Sequence, residues 1–322
     1  GDLDSYLQLL QDTVLVRDFD AVMKEAADYR RRIPSEIRQW LPSVISGLHG
    51  ITQDSVYDAR PSSHFKEDLR SVVATFGIPH IDRFLKGGIW DAAIVMIAGI
   101  SNHGKSTLAY TLAARCVASK IKAVFVTTET LPSEVVVGVM RPLAGLSDRQ
   151  VRNKDERCIE YLDDMDKYLP IYDYDYAGID MLDRILYWEQ PQVMFYDFIK
   201  APETIRPGQR EDQALYALGE GLRRLSNDHR CTIIAFAQFS GAKAEYFLQH
   251  HDLRDVTMFG SARLFHTADQ ILIMKRHWSL PDTGFFKVKK DRLPTAYVKD
   301  NIFDWEFTLR HDTRTHSFYQ AQ

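Results

Sequence analysis

The chain predicts an α/β fold: a mostly parallel twisted sheet flanked by helices, antiparallel strands at its C-terminal edge, and a small helical arm at its N-terminus. Three observations carry this. From about residue 71, apolar runs of strand length alternate with helical stretches, the pattern of parallel strands joined by crossover helices. The run Ala93–Ala98 is apolar throughout, as a strand buried on both faces requires. The segment 284–320 instead carries short Phe-, Val- and Tyr-rich runs broken by turn residues, which fits antiparallel strands along one edge.

In chain order, residues 3–32 are charged and helical in period, with Leu7, Leu10, Val14, Phe19, Val22 and Met23 as apolar positions. Pro34-Ser35 breaks the stretch. A second amphipathic helix is expected over about 36–48, with Ile37, Trp40, Leu41, Val44, Ile45 and Leu48 on one face and a kink or split at Pro42. A polar connector follows from Asp54 to Glu67. This arm, 1–70, is either a small packed cap or a linker that docks on a neighbouring subunit; the main domain is expected over 71–322. Strands are expected at Ala93–Ala98, Ala123–Thr127, Pro170–Tyr172, Val193–Tyr196, Thr232–Phe236 and Gln270–Met274. Helices are expected at 105–119, 131–143, 178–189 and 211–228.

Bulk properties narrow the class. In 322 residues, 45% hydrophobic content suffices for a substantial core. A net charge of −4 excludes a global basic field, so any nucleic-acid contact must come from a local stripe or from a channel lined by several subunits. Cys116, Cys158 and Cys231 show no C-x-x-C spacing, which fits buried thiols in a reducing compartment. No apolar run reaches membrane-spanning length and no signal peptide is visible, so the expected location is cytoplasm or an organelle matrix. The chain opens Gly1-Asp2-Leu3 rather than with methionine, as expected of a processed piece with further domains upstream.

Gly99-Ile100-Ser101-Asn102-His103-Gly104-Lys105-Ser106 fits the Walker A pattern G-x-x-x-x-G-K-[ST]. A nucleoside triphosphate presents clustered phosphates that need many donors at close range. Backbone N–H groups come that close only where side chains do not intervene, hence the two glycines. Lys105 supplies a point charge and the Ser106 hydroxyl a ligand for Mg²⁺. The flanks agree: an apolar strand precedes the loop, and Leu108, Ala109, Leu112, Ala113 and Cys116 follow at helical spacing. The nucleotide-binding set is expected to be Gly99, Ser101, Asn102, His103, Gly104, Lys105, Ser106 and Thr107, with Arg276 from the end of a later strand.

An NTPase also needs a metal-supporting acid, a base for water and a sensor of the γ-phosphate. Val193–Asp197 is an apolar strand ending in an acid; set beside the strand that leads to the loop, Asp197 would support Mg²⁺. Glu129 ends a second such strand and could polarise the attacking water. Gln238 ends a third with a neutral amide that could sense γ-phosphate. Lys290 and Arg292 come late; they either serve a neighbouring subunit's site or belong to a solvated charge run with Lys287 and Lys289. Among 11 histidines none has ligand spacing, so no zinc site is expected. His103 is expected to shape the loop or touch a phosphate.

Over roughly 75–320 these segments resemble the RecA-like ATPase domain of hexameric replicative helicases, the DnaB and phage primase–helicase family. Gly77 through Gly88, with Ile81-Asp82 and Gly87-Gly88, resembles the family's opening segment. Glu129 matches its catalytic glutamate, Tyr196-Asp197-Phe198-Ile199 its Walker B, and Ala235–Gln238 its sensor strand. Asp252-Leu253-Arg254, Gly260-Ser261 and Ala268-Asp269-Gln270-Ile271-Leu272 resemble its D-L-R…G-S…A-D…I-L series. Lys290-x-Arg292 matches the K-x-R that acts in trans.

The resemblance implies an ATP- or other NTP-driven, Mg²⁺-dependent ring hexamer. It would translocate on single-stranded DNA and unwind duplex at a replication fork, with a primase or helicase loader as further partner. DNA contacts are then expected on the loops after the Walker B and sensor strands, at Lys200, Arg206, Arg210 and Lys243, unless the first loop merely offsets its own acids. Two departures stand out: Leu293-Pro294-Thr295 replaces a glycine-containing turn, and Asn102-His103 replaces Gly-Met or Pro-Gly. Such departures fit a divergent member, such as a viral or plasmid-borne one. The alternative is a RecA- or KaiC-like ATPase that forms filaments or regulatory rings without unwinding.

Overall fold

The structure is a computed structural model that describes residues 70–199, 211–239, 267–276, 282–291 and 306–320, with backbone alone at 211, 212, 239 and 289–291. The expected arm helices, the Asp252–Leu264 motifs, Lys200, Arg206, Arg210, Lys243 and Arg292 lie outside the described residues, as does the side chain of Lys290.

The described chain opens on β1 (Val72–Ala74), α1 (Pro79–Phe84) and β2 (Ile89–Trp90), with β1 and β2 paired antiparallel as a small separate sheet. Next come β3 (Ala93–Ile100), α2 (Lys105–Ala118), β4 (Ala123–Thr127) and α3 (Pro132–Ala144). Two helices that the periodicity did not single out, α4 (Asp148–Arg152) and α5 (Ile159–Tyr168), lead to the edge strand β5 (Ile171–Asp173). Then follow α6 (Ile179–Glu189), β6 (Val193–Asp197), α7 (Glu211–Asp228) and β7 (Thr232–Phe239). The last strands are β8 (Gln270–Arg276), β9 (Thr283–Asp291), β10 (Glu306–Asp312) and β11 (Ser317–Tyr319).

The main sheet has nine strands in the order β11-β10-β9-β8-β3-β7-β6-β4-β5. From β8 to β5 neighbours run parallel; β9, β10 and β11 extend the β8 edge antiparallel, as the C-terminal composition predicts. One expectation of neighbourhood is corrected. β6 does not lie beside β3, because β7 pairs with both and separates them. The strongly apolar run of β7 suits that central position, buried from Thr232 to Ala237.

Strand alternation divides the core between two faces. Val95 and Ile97 of β3 point to one, where they join Leu108, Leu112, Phe125 and Val139 under α2 and α3. Ile94, Met96 and Ala98 point to the other, with Leu182, Leu186, Leu218 and Leu222 of α6 and α7. All three cysteines are buried free thiols.

Two acids from the motifs prove to be structural. Asp82 accepts the Phe76 amide at 2.8 Å and closes the turn before α1. Asp269 is buried at the amino end of β8, where its Oδ2 accepts the Ile94 amide at 2.8 Å and Arg223 Nη1 at 2.6 Å. The Asp269 amide in turn donates to the Ile94 carbonyl at 2.8 Å, so one residue pins the register of β8 against β3. Both acids sit away from the phosphate loop.

Candidate nucleotide-binding site

The parallel strands end on one side of the sheet, and the residues just past those ends enclose a cleft of about 380 Å³. Its floor is the loop between β3 and α2. Gly99 is needed there because a Cβ would stand 2.6 Å from the Met274 carbonyl oxygen of β8. Gly104 caps α2 in the left-handed region at φ 93°, and a Cβ would crowd Met274 Cε and the Phe318 ring. The first turn of α2 aims its backbone N–H groups into the cleft, where the helix dipole favours an anion.

Lys105 is buried, with its ammonium donating to the Ile100 carbonyl at 2.8 Å. Burial brings its pKa down to about 8, against the opposing pull of Asp197 and Glu129. An anion in the cleft would restore its charge. Asp197 is also buried; desolvation raises its pKa, while a hydrogen bond from the Ser106 hydroxyl and the charge of Lys105 pull it down and Glu129 adds repulsion. The Ser106–Asp197 pair therefore offers two adjoining hard oxygen donors.

Glu129, Asp197 and Gln238 all line the cleft with Lys105 and Ser106. Their strands explain how. Gln238 is level with Gly99 across the β3–β7 ladder. Asp197 is level with Thr127 across β4–β6, and the Thr128 amide donates to the Asp197 carbonyl at 3.0 Å. The Thr128 hydroxyl donates to the Phe198 carbonyl at 3.0 Å and accepts the Phe198 amide at 3.3 Å. Glu129 then projects from a turn closed by Thr127 Oγ1, which accepts the Thr130 amide at 3.0 Å.

Ser101, Asn102, His103, Thr107 and Arg276 line the same cleft, as the sequence leads one to expect. The backbone of Lys290 does not. It is level with Ile271 at the amino end of β8, six positions along β9 from Gly284, about 20 Å at strand rise. Gly284 is at the cleft, so residue 290 stands at the far edge of the sheet from it.

The C-terminal extension adds a wall that sequence reasoning missed: Thr283, Gly284, His311, His316 and Phe318, with Thr130 opposite. Phe318 is tied in by its amide, which donates to Thr111 Oγ1 of α2 at 3.1 Å. Burial lowers the pKa of both His311 and His316, and neighbouring cations add to this, so the wall is neutral near pH 7. No local motif marks these residues, because only the antiparallel return of β9–β11 brings them to the loop.

Two solved structures share this architecture. One, an isolated ATPase domain, superimposes with a TM-score of 0.65 at 14% identity, covering 90% of this chain and 100% of that one. The other, a DnaB-like replicative helicase solved in a study of its interactions with primase, gives 0.68 at 15% identity, covering 99% and 83%. The fold is RecA-like. Residues 74–147 of the RecA-like domain, from β1 through α3, also match the family model described as "ATPase: KaiC". A search of curated protein sequences finds no match. At these identities the likeness is one of fold, and the residues of the cleft carry the chemistry.

Proposed function

We propose that this chain is an NTP-hydrolysing motor that works as a ring hexamer on single-stranded DNA and unwinds duplex. The observation that carries it is the convergence of Lys105, Ser106, Asp197, Glu129 and Gln238 in one cleft, brought there by four different elements. ATP or another NTP is the substrate. Its phosphates lie against the loop amides and Lys105. Ser106 and Asp197 suit Mg²⁺, which prefers one or two protein oxygens with phosphate and water completing its shell. Among the described residues no group of three or more His, Cys, Asp or Glu side chains forms a protein cage for a metal, consistent with a cation held jointly with substrate. When bound, Mg²⁺ neutralises charge on the β- and γ-phosphate oxygens.

Glu129 orients a water and takes its proton as the water oxygen bonds to the γ-phosphorus and the bond to the bridging oxygen breaks. Gln238 hydrogen-bonds the γ-phosphate and registers its departure. Lys290 and Arg292 serve the cleft of an adjacent subunit, a role supported by the position of residue 290 at the far edge from its own cleft. The segments 200–210 and 240–266 leave from the carboxyl ends of β6 and β7, so Lys200, Arg206, Arg210 and Lys243 are assigned to DNA phosphates. The arm at 1–70 is assigned to ring assembly, with a primase or helicase loader as a further partner.

The test is strand displacement on forked DNA with ATP and Mg²⁺. The wild type should displace the strand. Glu129→Gln should bind nucleotide as before but turn over about a hundredfold slower, and displacement should be lost. The KaiC match favours a second reading, a RecA- or KaiC-like ATPase without unwinding. DNA-stimulated hydrolysis with no displacement at any protein concentration would select it.

A further inference from the structure

We propose that His103 is a positioning residue, a latch that ties the phosphate loop to the end of β8. This rests on the reading of the cleft as a nucleotide site. The β3–β8 ladder ends at the pair Gly99–Met274. Beyond it β3 turns away into the loop while β8 continues to Arg276. There the Arg276 amide donates to His103 Nδ1 at 3.0 Å, so a side-chain ring prolongs the ladder by one more bond. Asn102, just before it, holds φ at 62°, a left-handed turn that asparagine tolerates better than most residues.

Because Nδ1 accepts, the ring proton sits on Nε2 and the ring is neutral. Its surroundings enforce this. Burial, and then the cations of Lys105, Lys275 and Arg276, hold its pKa below the ordinary 6.5. The latch works with packing already noted, since Met274 and Phe318 bear on Gly104 from the same side. The loop is thus fixed to the C-terminal extension by β8 on one flank and by β11 on the other. A loop fixed before substrate arrives loses less entropy on binding.

The imidazole offers two distinct functions, and two substitutions separate them. Asparagine sets an acceptor oxygen where Nδ1 stands, one bond from Cγ. Glutamine reaches to the Nε2 position instead and leaves the Arg276 amide unmet. His103→Asn should keep nucleotide affinity within about twofold of wild type. His103→Gln and His103→Ala should weaken it about tenfold, the size of one lost hydrogen bond, with KM raised more than kcat is lowered. Affinity would be read by titration of a fluorescent ATP analogue into the full chain, with thermal unfolding to confirm folded variants. Rescue by glutamine rather than asparagine overturns the latch, as do three equal variants.

Long-range ¹H–¹⁵N spectra of the nucleotide-free protein give a second measure. The histidine signal missing from His103→Asn should be the Nε2–H tautomer, and the Nδ1–H tautomer overturns the proposal. If the wild type does not bind ATP, the functional reading fails while these spectra still judge the latch.

Discussion

Thr128 fills three hydrogen-bonding roles at the point where β4 ends. Its amide meets the Asp197 carbonyl, and its buried hydroxyl meets both the carbonyl and the amide of Phe198. Asp197 and Glu129 come from strands that this residue clasps beyond the ladder, so their separation depends on it. Valine has the same shape without the hydroxyl. Thr128→Val would leave two backbone groups of Phe198 unmet, which costs about 1–3 kcal/mol. It would also let the two acids shift by a fraction of an ångström or more. Turnover should fall about 10- to 100-fold with nucleotide affinity little changed. Thr128→Ser keeps the hydroxyl and should stay close to wild type. Urea unfolding and steady-state ATPase on the three proteins check this; equal rates for valine and serine would mean the clasp does not position the acids.

β8 is the element on which most of the site's architecture turns. Its carboxyl end holds the phosphate loop through Met274 and Arg276, and its amino end is fixed by Asp269. The second fixture is charged: Asp269 takes Arg223 at 2.6 Å and Arg70 at 3.4 Å, and its own amide completes the bond to Ile94. Removing one member of such a buried set leaves an uncompensated charge. Asp269→Ala should therefore cost about 3 kcal/mol, seen as a lower urea midpoint with an unchanged slope. Asp269 lies at the opposite end of β8 from the cleft, so the molecules that remain folded should bind nucleotide normally. A variant of wild-type stability, or a folded variant that no longer binds, would contradict this division of labour.

On the scale of the whole molecule, the sheet separates two kinds of chemistry. Lys105, Ser106, Asp197, Glu129 and Gln238 gather at one edge, and residue 290 sits at the other. A chain built this way needs a second copy to bring both to one nucleotide. Arg292→Ala should abolish hydrolysis while sparing nucleotide binding, since an arginine finger contributes roughly 10³-fold or more. Lys105→Ala should also be inactive. Mixed together, the two proteins form some interfaces that pair an intact Lys105 with an intact Arg292, and partial ATPase activity should return. Mixed rings that form, as judged by native mass measurement, yet stay silent at every ratio would rule out a shared site.

The sequence by itself determined the class of fold, the strand runs, the phosphate loop and the acids at strand ends. These are local signals. A strand buried on both faces must be apolar throughout, and a loop that admits phosphates must have glycine where Gly99 and Gly104 stand. Each can be read without knowing its neighbours. Tertiary structure alone decided that β7 comes between β3 and β6, because strand order is set by crossovers and not by the strands' own residues. It also decided that Asp82 and Asp269 are fixtures of the scaffold, since a carboxylate in a motif looks the same whether it meets substrate or backbone amides. And it brought His311, His316 and Phe318 to the cleft. Their contact with a loop some two hundred residues earlier follows from the antiparallel return of β9–β11, a geometry that no spacing along the chain encodes.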